Sequence, residues 1–120
     1  MKKILLVEDK KEHRERFSSA CYLWSKEIEA LMAATLAEAL DLFQTHKETL
    51  FAIIMDGCVN QPDELDSPPV IRHFRRYGFK GPIVANSSES EYNKIMLESG
   101  ASHSALKKEG YPYILQLLRA

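Results

Sequence analysis

The chain has 120 residues, of which 45% are hydrophobic and 28% charged, and its formal net charge at pH 7 is −1. These values are typical of a globular protein, and we expect residues 1–120 to form a single domain in the cytoplasm. The near-zero charge argues against direct binding to nucleic acid or an anionic membrane, and no apolar stretch is long enough for a membrane span or a secretory signal.

Short apolar runs alternate with helical patterns along the chain, which predicts a doubly wound parallel sheet. The predicted strands are, in chain order, Lys3–Val7, Glu27–Ala33, Phe51–Met55, Pro82–Asn86 and His103–Leu106. The third run is apolar on both faces, so we expect it at the centre of the sheet.

Helices are predicted between the strands from apolar residues that recur three and four positions apart. They cover about Lys11–Trp24, a segment after Thr35, a segment after Ser67, about Glu89–Ser99, and a segment from Tyr111 onward. The predicted inner faces are Phe17, Ala20, Cys21 and Trp24; Leu36, Ala39, Leu40 and Phe43; Val70, Ile71 and Phe74; Tyr92, Ile95 and Met96; and Ile114, Leu117 and Leu118. Thr35 and Glu38 form a capping box, and Asp66 or Ser67 is expected to cap the third helix.

Polar residues follow the predicted strands closely. Glu8 and Asp9 follow the first strand, Asp56 the third, Ser87 the fourth and Lys107 the fifth. Because ligands of open α/β sheets bind at the carboxyl ends of the strands, we expect these side chains to form one site. Like charges 4 Å apart repel by about 4 kcal/mol at an effective dielectric of 20, so the carboxylates favour a counter-ion such as Mg²⁺. Asp56 is then a candidate nucleophile toward phosphorus.

Four segments that carry these residues resemble the receiver domain of bacterial two-component response regulators, and the resemblance covers nearly the whole chain. KKILLVEDKKEHRERF is similar to the first strand, acidic pair and first helix, and FAIIMDG to the strand with the phospho-accepting aspartate. GPIVANSSES is similar to the fourth strand with its hydroxyl residue, and ESGASHSALKK to the segment that ends in a phosphate-binding lysine. The resemblance implies a flavodoxin-like α/β sandwich of the (βα)₅ type, with five parallel strands in the order 2-1-3-4-5.

The resemblance also implies a role for each candidate residue. Asp56 is the implied phosphorylation site, and Ser87 and Lys107 are the implied switch and phosphate-binding residues. The implied ligands of a Mg²⁺ cofactor are Glu8, Asp9, Asp56 and the main-chain carbonyl of Cys58.

The function that the resemblance implies is phosphotransfer followed by signalling. A histidine kinase or a histidine phosphotransfer protein would donate the phosphoryl group, and the phosphorylated domain would change its affinity for a downstream protein. The domain would catalyse only its own phosphorylation and dephosphorylation, so we do not expect an enzyme. It would work alone or as a fragment of a longer protein, and receiver domains often form homodimers.

The chain departs from the family pattern in three places. Lys108 stands where the family usually has proline, and Ser104 stands where it often has a switch aromatic. His103 beside it is a candidate substitute for that aromatic, although an ordinary edge histidine is the favoured interpretation. The loop Gly57–Asp66 is longer and more acidic than usual. We expect its acids to be solvated rather than to form a recognition surface.

One alternative remains open from the residues, and two others are disfavoured by them. A degenerate receiver would keep these side chains but bind partners without phosphorylation. A phosphohydrolase of the haloacid dehalogenase type needs Asp-x-Asp, and Cys58 occupies the second position after Asp56. A flavodoxin needs a hydroxyl-rich loop after the first strand, and this loop is acidic.

Overall fold

Five strands alternate with five helices along the chain, and a computed structural model describes residues 1–120. The strands are β1 (Lys2–Val7), β2 (Ile28–Ala33), β3 (Leu50–Met55), β4 (Ile83–Ala85) and β5 (His103–Ser104). The helices are α1 (Lys11–Trp24), α2 (Leu36–His46), α3 (Pro68–Arg76), α4 (Ser90–Glu98) and α5 (Gly110–Leu117), and a 3₁₀ turn covers Lys107–Glu109. None of these helices has the length and hydropathy needed to cross a membrane.

All strand pairs are parallel, and the strand order is β2-β1-β3-β4-β5. This confirms the predicted order, and β3 lies at the centre as its apolar sequence indicates. The observed β4 and β5 are shorter than predicted, because residues at the end of each run leave the sheet to form the loops at its carboxyl edge.

The sheet separates two hydrophobic cores. One contains Phe43 of α2 and Phe74 of α3, whose ring centroids lie 4.7 Å apart. The other contains Phe17 of α1, whose ring meets Tyr111 of α5 edge-on at 5.3 Å. The alternating side chains of β1 and β3 feed both cores, as expected for strands covered on both faces.

Three predicted helix faces need correction. Trp24 is 40% exposed because it lies at the last turn of α1, beyond the edge of the core. On α4, Ile95 is 43% exposed and the polar Asn93 is buried in its place. On α5, Ile114 and Leu118 are buried as predicted, but Leu115 is fully buried and Leu117 only partly, so Leu115 takes the place predicted for Leu117.

Trp24 connects α1 to the end of α5. Its indole Nε1–H donates a hydrogen bond to the carbonyl of Ala120 at 2.9 Å. The neighbouring carbonyl of Arg119 accepts from Lys2 Nζ at 3.2 Å. These contacts lie at the amino-terminal end of β1, opposite the edge where the candidate residues gather.

Candidate functional site

The strand register places the candidate residues side by side. Val7 of β1 is paired with Met55 of β3, and Met55 is paired with Ala85 of β4. Hydrogen bonding continues one residue beyond the strands, because the Asp56 N–H donates to the Val7 carbonyl at 3.0 Å. The three chains therefore leave the sheet at the same level, and the residues that follow them meet.

Three carboxylates and one ammonium group form the centre of the site. Carboxylate oxygens of Glu8, Asp9 and Asp56 all lie within 4.8 Å of one another. Lys107 forms an ion pair with Glu8, and its Nζ lies 3.3 Å from Asp56 Oδ1. The structure thus brings together four of the residues that the sequence analysis selected.

Burial and mutual repulsion shift the pKa values of the carboxyls. Burial raises the pKa of Asp56 to about 7, the Glu8 charge adds to the rise, and Lys107 opposes it. Burial and the Glu8 carboxylate also raise the pKa of Asp9. Burial alone would raise the pKa of Glu8, but the hydrogen bond and charge of Lys107 outweigh it and hold that pKa below its ordinary value. One ammonium therefore does not neutralise the three acids.

The donor set of the cluster fits a hard cation. All three side chains offer oxygen atoms. Cys58 lines a cleft with Asp9 and Asp56, and its main-chain carbonyl accepts no hydrogen bond from the protein. Oxygen donors with an excess of negative charge are the ligands that Mg²⁺ and Ca²⁺ prefer. The cluster could therefore hold a metal ion.

Ser87 lies in the wall of the same cleft and is 4% exposed. Its Oγ accepts a hydrogen bond from the Glu89 N–H at 3.0 Å, which leaves the hydroxyl proton free for another acceptor. The cleft has a volume of about 280 Å³. Its lining includes Asp9, Lys10, Asp56, Cys58, Asp63, Ser87, Glu89, Tyr92 and Lys107.

Gly57 permits the close approach of Ser87 to the loop after Asp56. A β-carbon at Gly57 would lie 3.3 Å from the Ser87 β-carbon and 3.1 Å from Leu65 Cδ1, which is tighter than ordinary contact. The Gly57 N–H donates to Asp56 Oδ1 at 2.7 Å. A side chain at position 57 is thus opposed by crowding rather than by backbone conformation, since the φ of Gly57 is not among the positive values of the chain.

The sequence analysis missed Asn93, which joins α4 to two strand ends. Its Oδ1 accepts from the Ser87 N–H at 2.8 Å, and its Nδ2 donates to the carbonyls of Ser87 at 3.3 Å and Ala105 at 3.4 Å. A signal was present, because Asn93 precedes the buried Met96 by three residues and so falls on the inner helical face.

Arg14 of α1 was also missed. Its Nη1 donates to the main-chain carbonyls of Glu8 at 2.9 Å and Asp9 at 2.8 Å. The guanidinium therefore holds the backbone that carries both acids. No sequence pattern predicts such a contact, because the acceptors are main-chain carbonyls, which every residue has.

The acids of the loop Gly57–Asp66 do not all behave as predicted. Asp63 and Glu64 are exposed and form no ion pair, as expected for solvated acids. Asp66 instead accepts hydrogen bonds from main-chain N–H groups within the loop. Neither Asp66 nor Ser67 caps α3 through its side chain, although Ser67 occupies the N-cap position.

The residues at which the sequence departs from the family pattern, Lys108, Ser104 and His103, do not line the cleft. Lys108 is exposed within the 3₁₀ turn, and every peptide bond of the chain is trans. Ser104 is exposed, and His103 is half-buried with its Nδ1 2.8 Å from Ser102 Oγ. Neither His103 nor Ser104 forms a hydrogen bond with Ser87 or with the acidic cluster.

Comparison with solved structures shows which fold this is. The receiver domain of the Francisella response regulator 1452 has a TM-score of 0.81 and 20% identity, over 99% of this chain and 94% of that one. A response regulator receiver domain protein from Clostridium thermocellum has a TM-score of 0.82 and 14% identity, over 99% and 92%. The CheX-CheY-BeF3-Mg complex from Borrelia burgdorferi contains a chain with a TM-score of 0.78 and 17% identity, over 96% and 84%.

The likeness is one of structure rather than of sequence. No protein-family model matches the chain, and no curated protein matches it in a sequence search. The chain therefore has the fold of response regulator receiver domains, at identities that show the fold alone.

Proposed function

We propose that this chain, with its receiver fold, accepts a phosphoryl group on Asp56 from a phosphohistidine donor and thereby changes its affinity for a partner protein. The observation that carries the proposal is the position of the Asp56 carboxylate. It lies beside Lys107 and two further acids at the carboxyl edge of the sheet. Asp9 and Asp56 line one cleft together with the Lys107 ammonium and the Ser87 hydroxyl, and Glu8 is buried behind them. Clustered acids with shifted pKa values are typical of functional sites.

The transfer step follows from this geometry. One carboxylate oxygen of Asp56 attacks phosphorus and forms a P–O bond while the P–N bond to the donor imidazole breaks. The electron pair of the broken bond stays on the imidazole nitrogen, and a proton on the other ring nitrogen of the phosphohistidine lets the ring leave as neutral imidazole rather than as an anion. Lys107 neutralises charge on the transferring group, and the free proton of Ser87 is available to a phosphoryl oxygen.

Magnesium is the cation that we propose for the cluster. Glu8, Asp9, Asp56 and the Cys58 carbonyl would hold it, and the chemistry it supplies is neutralisation of charge on the phosphoryl oxygens. The Borrelia complex holds Mg and BeF3, which supports this choice.

The proposed partners are proteins. A histidine kinase or a histidine phosphotransfer protein would supply the phosphoryl group in the cytoplasm, and an unidentified downstream protein would read the phosphorylated state. The presence of CheX with CheY in the Borrelia complex supports a protein partner for this fold. The chain would modify only itself and turn over no separate substrate.

Intact mass spectrometry after incubation with a small phosphodonor and Mg²⁺ tests the proposal. The wild-type chain should gain one phosphoryl group, and Asp56→Asn should gain none because its amide is not a nucleophile. Asp41→Asn is the matched control, since it removes an exposed aspartate on α2 and should label like wild type. Labelling of the Asp56→Asn variant, or no labelling of wild type beside a known receiver, would contradict the assignment.

A second candidate is a receiver that binds its partner without phosphorylation. It is favoured by Ser104, because a small exposed side chain offers no ring to rotate after Ser87 moves. Partner binding that is equally tight for wild type and Asp56→Asn, with and without phosphodonor, would support this candidate over the first.

A further inference from the structure

We infer that Asp66 is a positioning residue that orients the Cys58 carbonyl toward its proposed role as a metal ligand. The inference rests on the proposed function, because the magnesium site is part of that proposal. It assigns a role to a side chain that belongs to none of the strand ends, at the far end of the loop that follows Asp56.

Asp66 closes the loop on itself through its carboxylate. Its Oδ1 accepts from the Val59 N–H at 2.8 Å, and its Oδ2 accepts from the N–H groups of Asn60 at 2.8 Å and Gln61 at 3.1 Å. Three main-chain donors to one carboxylate form a strong, charge-assisted set. The carboxylate has no competing cation, because Asp66 takes part in no ion pair.

Main-chain bonds complete the closure next to the site. The Gly57 carbonyl accepts from the N–H groups of Asp66 and Ser67, both at 3.2 Å. The segment from Gly57 to Gln61 is therefore fastened at both ends to residues 66 and 67. Between the two fastened points lies Cys58, which lines the cleft with Asp9 and Asp56.

The peptide group between Cys58 and Val59 connects these contacts to the metal site. A planar trans peptide points its C=O and its N–H in opposite directions. The N–H of this group is the one that Val59 donates to Asp66, so the same bond directs the Cys58 carbonyl away from Asp66. That carbonyl accepts no hydrogen bond, whereas the preceding one, of Gly57, accepts two.

The loop supplies its own control for charge. Glu64 is an exposed acid two positions from Asp66 and accepts no side-chain hydrogen bond. Glu64→Gln and Asp66→Asn each remove one negative charge from the same loop. Only Asp66→Asn replaces one acceptor oxygen with an NH₂ group that faces main-chain N–H donors.

Calorimetric titration with Mg²⁺ and with Ca²⁺ tests the inference. We expect Asp66→Asn to weaken Mg²⁺ binding about tenfold, as is common when an outer partner of a metal ligand is lost, and Glu64→Gln to weaken it about twofold or less. Ca²⁺ tolerates irregular coordination better than Mg²⁺. The Asp66→Asn variant should therefore lose less than about threefold in Ca²⁺ affinity, and its preference should shift toward Ca²⁺.

Each outcome decides one of the two claims. No Mg²⁺ binding by the wild-type chain would overturn the proposed function itself. Wild-type binding with equal effects of Asp66→Asn and Glu64→Gln, or an equal loss for Mg²⁺ and Ca²⁺, would overturn the role of Asp66 alone. Unfolding in urea with EDTA checks that the variant is folded, and Asp66→Ser, whose hydroxyl still accepts one N–H, replaces it if it is not.

Discussion

The ionised Asp56 carboxylate destabilises the folded chain, and its effect on the free energy of unfolding should be measurable without any ligand. Its ordinary pKa is 3.8, and burial followed by the Glu8 charge raises it to about 7 in the folded chain. Folding therefore favours the protonated carboxyl, and the metal-free protein should lose stability as pH rises from about 4 through about 7. The lowered pKa of Glu8 acts in the opposite sense, but its effect is complete above pH 4.5, the ordinary value for that group.

The Asp56→Asn variant removes this ionisable group and so measures its effect on stability. In EDTA we expect it to be more stable than wild type by roughly 1–3 kcal/mol at pH 8, and by much less at pH 5, where the wild-type carboxyl is protonated. Thermal unfolding at both pH values measures the difference. Asp41→Asn, on an exposed position, should show no such pH dependence. A stabilisation of the same size at both pH values would indicate that ionisation of Asp56 is not its cause.

Residues at strand ends could be predicted, but those that hold the loops could not. Glu8, Asp56 and Lys107 follow apolar runs, and parallel strands necessarily deliver such residues to one edge. Arg14 and Asp66 act on main-chain carbonyls and N–H groups, which have no signature in the sequence. Their partners become known only when the path of the loop is known.

Among the elements, α4 has the least typical inner face. Its buried residues are Asn93 and Met96, so the helix meets the sheet partly through an amide rather than through apolar contact. The amide bridges the Ser87 segment and the Ala105 carbonyl. α4 is thus held by hydrogen bonds to the main chain of Ser87, the proposed switch residue.

Asn93→Ala should destabilise the fold noticeably. The substitution leaves the buried Ser87 N–H without its acceptor, and a buried polar group left unsatisfied costs about 1–3 kcal/mol. With the cavity added, we expect a loss of roughly 2–4 kcal/mol in urea unfolding. Lys94→Ala, on the exposed neighbour, should change stability by less than about 0.5 kcal/mol. A loss of stability no larger than that of Lys94→Ala would show that the Asn93 hydrogen bonds contribute little to the stability of the fold.

Element type was easier to predict than element face. The alternation of apolar runs and helical periods identified all ten elements, and the Thr35 cap of α2 is confirmed by the Glu38 N–H bond at 3.1 Å. The faces of α4 and α5 were wrong in part because these helices have only 9 and 8 residues. On α4 the polar Asn93 in the core hides part of the inner face. On α5 the residues Ile114, Leu115, Leu117 and Leu118 are all apolar, so the apolar stripe alone does not fix the face.

At the scale of the whole molecule, the sheet divides the interior into two cores that share only strand backbone. Phe17 is fully buried on one side and Phe43 on the other. The carboxyl edge of the sheet is where both sides meet, so the site is supported by helices from each.

This separation predicts additive energetics. Phe17→Leu and Phe43→Leu should each destabilise the fold by roughly 1–2 kcal/mol. Because the two rings have no common side-chain partner, the double variant should lose the sum of both effects within about 0.5 kcal/mol. Urea unfolding of the four proteins measures the coupling. A coupling energy above about 1 kcal/mol would indicate that strain passes through the sheet.

The strand order followed from the family resemblance, and the sheet confirms it. The physical basis is that the two most apolar runs, Ile4–Val7 and Phe51–Met55, are buried on both faces and pair with each other at the centre. The less apolar β2 and β5 lie at the two edges. Which partner docks on the surface is not encoded in this pattern, because burial patterns report only the inner faces.

Trp24 is an intrinsic fluorescence probe for unfolding experiments on this chain. It is the single tryptophan and the last residue of α1. At a rise of about 1.5 Å per residue it lies roughly 20 Å from Lys11, the first residue of that helix, which follows the acidic pair Glu8 and Asp9. Its indole donates a hydrogen bond to the Ala120 carbonyl, so its fluorescence reports on the contact between α1 and the residues after α5. Trp24 fluorescence should therefore change when α1 separates from the carboxyl-terminal residues during unfolding. It should not change when a cation binds at the carboxyl edge of the sheet.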